Sequence, residues 1–291
     1  MVESQTTTTR NFMDMVQKRF ANGLAISVGL DATSRALLPD QYDLNETGIV
    51  DFHREVILAT RDQAAVYKPQ IAGFETLGPV GLAALEDTVN AIKELAPEVP
   101  IIVDAKRGDI ANTNEQYASA IFDRIGADAL TVAPYMGPET MTPFLERKDK
   151  GVIVLCRTSN PGANHYQSLQ VDGMALYQYV ARDVATNWNA NGNCCVVVGA
   201  TAPAELGEVR KLIGDMPILV PGIGAQGGSI TEVLGVGCDS KGAGLMLHAS
   251  RTILGAARKD ASVSPRKAIA AAMKALTDEI AAARPSHDTA S

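Results

Sequence analysis

Residues 101–110 read IIVDAKRGDI, an apolar run that leads directly into a cluster of charged residues. The run Ile101–Val103 is rich in Ile and Val and does not alternate with polar residues. That pattern is typical of a parallel strand buried on both faces. The charged residues that follow, Asp104, Lys106 and Asp109, are therefore expected at the carboxyl end of a strand.

Seven other apolar runs of the same kind occur along the chain: Leu24–Leu30, Ala64–Tyr67, Ala129–Ala133, Val152–Cys156, Cys195–Val198, Ile218–Val220 and Ala243–Leu247. Between the runs lie patterns with apolar residues at three- and four-residue steps, which predict helices. Two examples are Leu82, Leu85, Val89 and Ile92, and, near the end of the chain, Ile269, Met273, Leu276 and Ile280.

This strand–helix order predicts an α/β fold with a parallel sheet. A closed (β/α)₈ TIM barrel and a doubly wound open sheet both fit it, and the count of eight strands favours the barrel. No Gly/Ser-rich or Pro-rich linker divides the chain. We therefore expect one barrel domain over residues 10–284, with polar tails at 1–9 and 285–291.

The overall charge limits the classes of partner. The chain has 291 residues, with 26 Lys and Arg against 33 Asp and Glu, a net charge of −7. An acidic balance argues against a general binder of nucleic acid or of anionic membranes. No apolar stretch is long enough to span a bilayer, and the N-terminus has no signal-peptide pattern. The four cysteines form no C-x-x-C pair, so reduced thiols and a cytoplasmic location are expected.

Charged residues follow several of the predicted strands: Asp31, Lys68, Asp104, Arg157 and Arg251. Any one of them could end its strand in solvent. Charges at the ends of apolar strands lose hydration unless they are paired, so their concentration at one end of the sheet indicates a site. In a barrel, that end carries the active site.

The densest cluster is Asp104, Lys106 and Asp109. Alternation along a strand places Asp104 and Lys106 on the same side, within reach of each other. Two carboxylates beside a lysine favour its protonated form, and a fixed ammonium group is a proton donor. The alternative is a surface ion-pair cluster that contributes little energy. No metal-ligand spacing is visible, and for His248 we expect a packing or capping role.

Residues 222–227 read GIGAQG and match the G-x-G-x-x-G pattern of dinucleotide-binding turns. The match follows the seventh strand rather than the first, which disfavours that interpretation. In barrels, a phosphate site is often found after strands seven and eight. We therefore expect backbone N–H groups of this turn, with Arg251 after strand eight, to bind a phosphate.

Together these motifs resemble the orotidine 5′-phosphate decarboxylase family, and the wording DAKRGDI and TSNPGA resembles its bacterial type 2. The resemblance extends from residue 28 to about residue 254 in the family's order. It rests on D-x-K-x-x-D at 104–109, VGLD at 28–31, YK at 67–68, TSNPG at 158–162 and PGIGAQGG at 221–228. It implies a carboxy-lyase that converts orotidine 5′-phosphate to UMP and CO₂, the last step of de novo UMP synthesis, without any cofactor or metal.

The resemblance also implies roles for individual residues. Lys106 is the expected proton donor, with Asp104 beside the departing carboxylate and Lys68 in the same charge network. The residues expected to bind substrate are Asp31 (ribose), Ser159 (pyrimidine), Gln226 (base and phosphate), Gly227 and Arg251 (phosphate). In this family the last acid of the cluster reaches the neighbouring subunit's site. A homodimer is therefore expected, with Asp109 and Thr113 acting across its interface.

Three other functions remain open at this point. Mg²⁺-dependent decarboxylases or aldolases of keto-sugar phosphates share the D-x-K-x-x-D strand, and they would be sensitive to chelators. A non-catalytic protein that binds phosphorylated metabolites would tolerate the loss of Lys106. An NAD-binding oxidoreductase would require the glycine-rich turn to bind a nicotinamide cofactor.

Overall fold

Eight parallel strands form the centre of the molecule. The computed structural model describes residues 10–223, 227–259 and 262–284. The strands are β1 (Ile26–Gly29), β2 (Ala64–Lys68), β3 (Ile102–Arg107), β4 (Ala129–Val132), β5 (Gly151–Arg157), β6 (Cys194–Val198), β7 (Ile218–Pro221) and β8 (Leu245–Ala249). Each strand overlaps one of the predicted runs. The predicted tails 1–9 and 285–291 lie outside the described residues.

The strands pair in the order β2-β1-β8-β7-β6-β5-β4-β3, and all pairs are parallel. The two end strands meet through bridges that join Tyr67 to Ile101 and Gln70 to Asp104. These bridges nearly close the sheet, as a barrel requires and an open doubly wound sheet does not. The predicted TIM barrel is therefore confirmed.

Helices surround this barrel. They are α1 (Phe12–Ala21), α2 (Glu46–Thr60), α3 (Ile71–Glu75), α4 (Gly78–Leu95), α5 (Ala111–Ala118), α6 (Thr142–Leu145), α7 (Ala163–Gln167), α8 (Leu176–Asp183), α9 (Pro203–Ile213), α10 (Ile230–Gly237), α11 (Arg251–Leu254) and α12 (Pro265–Ala283). A two-residue hairpin pairs Gln170–Val171 with Met174–Ala175 after β5. None of the helices in the described residues is long and apolar enough to cross a membrane.

The lower part of the barrel interior is a dry apolar cluster. The inward side chains there come from six strands: Val66, Ile102, Ala129, Ile153, Cys195 and Met246. Helix α1 covers the amino-terminal end of the barrel and adds Phe12, Val16 and Phe20 to the same cluster. Burying each of the Val, Ile, Met and Phe side chains in this cluster contributes about 1.5–3 kcal/mol, so this end of the barrel is closed by packed side chains.

Two residues further along each strand, the inward layer divides into two halves. The arc from β8 through β4 is polar: His248, Ser27, Lys68, Asp104 and Thr131. The arc from β5 to β7 is apolar: Leu155, Val197 and Leu219. Because side chains alternate along a strand, the side chains of this layer point into the barrel just below the carboxyl ends of the strands, where barrel active sites are built.

Candidate active site

Two lysines and an aspartate form a chain of ion pairs at the carboxyl end of the barrel. Lys68 ends β2, and Asp104 and Lys106 lie on β3. Lys68 Nζ donates to Asp104 Oδ2 at 2.7 Å, and Lys106 Nζ donates to Asp104 Oδ1 at 2.7 Å. Each carboxylate oxygen thus has its own ammonium partner. The predicted proximity of Asp104 and Lys106 is found, and Lys68 joins them from the neighbouring strand.

Burial differs along this chain of charges. The side chains of Lys68 and Asp104 are 4% and 11% exposed, whereas that of Lys106 is 47% exposed. Burial opposes ionisation of Asp104, but the Lys68 and Lys106 ammonium groups outweigh it and hold the pKa of that carboxyl well below its usual range. Asp104 is therefore a carboxylate at neutral pH. Lys106 is the member of the chain that is open to a bound molecule.

The backbone beneath Lys106 is irregular. β3 extends beyond its predicted end at Val103 and pairs with β4 again only at Arg107, after a shift of register. Within the shift, Lys106 has a φ of +48°, in the left-handed region. The N–H groups of Ala105 and Lys106 donate to Thr131 Oγ1 at 3.0 and 2.9 Å. Asp104 and Lys106 therefore lie on a bulge inside β3 rather than after the strand, and Asp109 follows the strand as predicted.

A cavity of about 440 Å³ opens above these side chains. Its lining combines the charged cluster with the apolar half of the inward layer and with the loop after β5: Lys68, Asp104, Lys106, Thr131, Leu155, Thr158, Ser159, Asn160, Val197, Leu219 and Pro221. One wall is thus cationic and the opposite wall is apolar. Apolar walls reduce the screening of charge by water, which strengthens any interaction of Lys106 with an anionic ligand.

Asp31 lies beside a second cavity of about 320 Å³, which shares Pro221 with the first. Asp31 Oδ1 accepts a hydrogen bond from the backbone N–H of Gln70 at 3.0 Å. Burial raises the pKa of Asp31, and the Lys68 ammonium opposes that shift. The predicted ribose-binding residue therefore lies where a ligand can extend from one cavity into the other.

One of the predicted phosphate-binding residues, Arg251, borders this second cavity. Arg251 begins α11 and lines it together with Gly222. Gly227, in the turn after β7, has a φ of +83°, which favours glycine over residues with a Cβ. Gln226 lies outside the described residues. The structure thus brings Arg251 to the turn, as the phosphate prediction requires.

His248 is an inward residue of β8 and lines the same cavity. Its Nδ1 lies 3.1 Å from the Ser27 hydroxyl on the adjacent strand β1. Burial, together with the nearby Lys68 ammonium, lowers the pKa of His248 well below its ordinary value. Besides the expected packing role, His248 therefore offers a neutral imidazole to the cavity.

Ser159 lies in the loop after β5, in close contact with Gly199, the residue that follows β6. A Cβ added at Gly199 would lie 2.8 Å from the Ser159 backbone nitrogen, so the approach requires glycine. Arg157 braces the same loop, because its guanidinium donates to Thr158 O at 2.8 Å and to Asn164 Oδ1 at 2.6 Å. Ser159 thereby lines the first cavity, where a pyrimidine ligand is expected.

Asp109 and Thr113 lie beyond the bulge. Asp109 Oδ1 accepts from the Ile110 N–H at 2.7 Å, and Thr113 is in the first turn of α5. Within the described ranges, no hydrogen bond or ion pair joins Asp109 to Lys68, Asp104 or Lys106 of the same chain. The structure therefore separates the last acid of the cluster from the other three charges.

No three His, Cys, Asp or Glu side chains are grouped as metal ligands in residues 10–223, 227–259 and 262–284. Asp104, an acid in the lining of the first cavity, already has an ammonium group on each oxygen.

Two features of the site were not predicted from the sequence: the hydrogen bonds of Thr131 and the contact between Ser27 and His248. Thr131 lies inside the apolar run of β4, two residues after the inward Ala129. Strand alternation alone would have placed it at the height of Asp104. Its hydrogen bonds, however, depend on the bulge in β3, which the amino-acid sequence alone does not reveal.

Comparisons with known proteins give the same family as the sequence motifs. Residues 25–264 match a family model described as Orotidine 5′-phosphate decarboxylase / HUMPS family. A curated orotidine 5′-phosphate decarboxylase from Janthinobacterium sp. is 51% identical over 229 residues, which cover 79% of this chain and 83% of the relative. One from Cupriavidus metallidurans is 48% identical over 250 residues, covering 84% and 89%. The solved structure of Leishmania donovani OMP decarboxylase aligns with a TM-score of 0.81 and 38% identity, over 94% of this chain and 98% of that one.

Proposed function

Because the chain belongs to the orotidine 5′-phosphate decarboxylase / HUMPS family, we propose that its site works without a cofactor and uses Lys106 as the proton donor. The family match and the curated relatives identify the activity as decarboxylation of orotidine 5′-phosphate, a step in pyrimidine biosynthesis. The observation that carries the proposal is the chain of ion pairs Lys68–Asp104–Lys106, whose exposed end faces the cavity.

Decarboxylation is favoured by a cation beside the carbon that loses CO₂. When the bond from C6 of the pyrimidine to the carboxylate breaks, its electron pair stays on C6. A positioned ammonium stabilises that charge and then donates its proton to C6. UMP and CO₂ are formed, and the neutral amine of Lys106 regains a proton from solvent. No electron acceptor is needed in this sequence.

Asp104 has two roles in this proposal. Its carboxylate fixes the Lys106 ammonium at 2.7 Å, and it places negative charge near the carboxylate of the bound substrate. Repulsion between the two carboxylates is relieved when CO₂ leaves. Lys68 keeps Asp104 ionised from the other side. Since both oxygens of Asp104 already have ammonium partners, this acid is not available as a metal ligand, which supports chemistry without a metal.

The two adjoining cavities match the two ends of a nucleotide. The first, with Ser159 at its rim, accepts the pyrimidine, and the second accepts the ribose at Asp31 and the phosphate at Arg251 and Gly227. Volumes of about 440 and 320 Å³ lie within the usual range of ligand sites. Binding energy from the phosphate can then order the loops around the reacting ring.

We further propose a homodimer in which Asp109 and Thr113 complete the partner's site. The surface beside them supports this arrangement. Ile110, Tyr135 and Met136 follow β3 and β4 and are exposed, and Tyr135 is 94% exposed. Exposed apolar and aromatic groups on one surface are typical of a protein interface. A second copy that covers this face would bring its own Asp109 and Thr113 to the rim.

Mixing two inactive variants tests the shared site. Lys106→Ala and Asp109→Ala are each expected to be inactive alone. Mixed dimers retain one intact site, with Lys106 from one subunit and Asp109 from the other. At random exchange, about a quarter of wild-type CO₂ release should return. Mixed dimers that are verified by mass spectrometry and remain inactive would contradict sharing.

We propose a cytoplasmic location, because the cysteines of the chain are unpaired, as is usual in a reducing compartment. All four, Cys156, Cys194, Cys195 and Cys238, are free thiols. Free thiols persist where glutathione keeps them reduced.

A substrate panel tests the proposed reaction against its rivals. Purified protein is given orotidine 5′-phosphate, and in parallel keto-sugar acid phosphates with Mg²⁺ and NAD with hydroxy acids. We expect CO₂ and UMP from the first alone. Turnover of a keto-sugar phosphate with Mg²⁺ would indicate the metal-dependent enzyme. Binding without turnover of any compound would indicate a metabolite-binding protein.

A further inference from the structure

The bulge in β3 is unusually large. Val103 pairs with Leu130 and Arg107 pairs with Val132, so three residues of β3 lie opposite the single residue Thr131 of β4. Those three are Asp104, Ala105 and Lys106, which include two members of the ion-pair chain. Bulges of this kind redirect side chains and are common beside active sites.

The bulge leaves backbone groups without strand partners, and Thr131 binds them. A hydroxyl group has one hydrogen to donate and two lone pairs to accept with. The Ala105 and Lys106 N–H groups donate to Thr131 Oγ1 at 3.0 and 2.9 Å and use both lone pairs. The hydroxyl hydrogen is then committed to Asp104 Oδ1, which lies 2.8 Å away.

Asp104 Oδ1 is also the oxygen that accepts from Lys106 Nζ. One hydroxyl therefore contacts the backbone of Lys106, and it contacts the carboxylate that holds the same residue's ammonium group. Thr131 is 1% exposed, so water cannot replace it without rearrangement of the strand. The left-handed φ of Lys106, +48°, is a conformation that a residue with a Cβ adopts only when its surroundings enforce it.

We propose that Thr131 is a positioning residue for the decarboxylation: its hydroxyl holds the Lys106 backbone on the bulge and Asp104 in line, so that the ammonium group points at C6. This inference rests on the proposed function of Lys106. Without the hydroxyl, β3 can relax towards regular extended backbone. Such a relaxation would change the backbone conformation at Lys106 and release Asp104 Oδ1 from the hydroxyl, which moves the ammonium group out of line with C6.

The test compares Thr131→Val, which removes only the hydroxyl at similar volume, with Thr131→Ser, which restores it. Thr60→Val is the matched control, since Thr60 is a buried threonine of α2 whose hydroxyl contacts Val56 O and Tyr67 on the outer side of the barrel. The readouts are kcat and KM for CO₂ release, the affinity for UMP, and the thermal midpoint of unfolding of each variant.

We expect Thr131→Val to lower kcat by about 10²-fold, as a misplacement of about 1 Å at a reacting group does. KM and the UMP affinity should stay within about threefold, because phosphate and ribose bind elsewhere. Thr131→Ser should retain kcat within about threefold. Thr60→Val should lower the thermal midpoint and leave kcat unchanged, which separates loss of packing from loss of alignment. If Thr131→Val does not fold, Thr131→Ala takes its place in the comparison.

Two results would overturn the inference. One is a folded Thr131→Val, or Thr131→Ala in its place, with kcat equal to that of Thr60→Val. The other is a folded Thr131→Ser with the same loss as the variant that lacks the hydroxyl. Both are read against an active wild type, so they contradict the role of Thr131 alone. A wild-type protein that releases no CO₂ would instead contradict the proposed function.

Discussion

Replacement of Lys106 by alanine is expected to lower kcat for CO₂ release by at least about 10⁴-fold, since the change removes the proton donor and the cation beside C6 together. The affinity for UMP should change by less than about tenfold, because the phosphate and ribose are held at the second cavity. Initial rates of CO₂ release and calorimetric titration with UMP measure the two effects separately.

The control for this variant is Lys274→Ala. Lys274 is an exposed lysine of α12 that pairs with Asp278, far along the chain from the cluster. It should keep the wild-type kcat. A folded Lys106→Ala protein that retains more than about a hundredth of the wild-type rate would remove Lys106 as the donor, since general acids contribute about 10²–10⁴-fold.

Asp104→Asn is expected to reduce both stability and activity. The amide has nearly the same shape as the carboxylate but no charge, so the buried Lys68 ammonium loses its counter-ion. Breaking a buried ion pair on one side costs about 3–5 kcal/mol of unfolding free energy. The kcat should fall by at least about 10³-fold, because the charge that orients Lys106 is lost.

The loss of stability should depend on pH in a defined direction. The pKa of Asp104 is lower in the folded protein than in the unfolded chain, so its stabilising contribution is complete above the ordinary Asp pKa of about 4. The contribution is lost as pH falls below that value towards the folded-state pKa. The difference in unfolding free energy between wild type and Asp104→Asn should therefore be largest near pH 7 and shrink below about pH 4.

Denaturant unfolding at several pH values measures this difference, and Asp278→Asn is the control. Asp278 forms an exposed pair with Lys274, and such pairs contribute about 0.2–1 kcal/mol. A difference for Asp104→Asn that is equally small, or that does not change with pH, would show that Asp104 is not held as a carboxylate by the two lysines.

Much of the fold was predictable because buried parallel strands lack polar alternation and stand out as apolar runs. The eight runs follow from that property. The closing helix, with Ile269, Met273, Leu276 and Ile280 buried, follows instead from apolar residues at three- and four-residue steps. The apolar pattern at 82–92 predicted the buried face of its helix less accurately. Leu85, Val89 and Ile92 are buried, but Leu82, in the second turn of α4, is 42% exposed.

The strand ends were harder to predict. β8 was expected to end at Leu247 but runs through Ala249, which makes His248 an inward residue of the barrel. β3 was expected to end at Val103, yet it extends to Arg107, and Thr131 binds the backbone N–H groups that the bulge at 104–106 exposes. Both differences depend on register between strands, which local sequence patterns do not specify.

Of the site, the pairing of Asp104 with Lys106 followed from alternation, and the approach of Arg251 to the glycine-rich turn followed from strand order. The separation of Asp109 from the ion-pair chain did not follow from spacing. Asp109 lies only three residues after Lys106, but the backbone leaves the barrel at Gly108 and enters the loop before α5. A role for Asp109 across an interface was expected only from the family resemblance.

The central claim is that this site decarboxylates orotidine 5′-phosphate through a lysine and without a metal. CO₂ release by the purified protein, measured with and without EDTA, tests it most directly. We expect one CO₂ for each UMP formed, at a rate that EDTA does not change. A folded protein that binds UMP but releases no CO₂, or a rate that EDTA abolishes and Mg²⁺ restores, would contradict it.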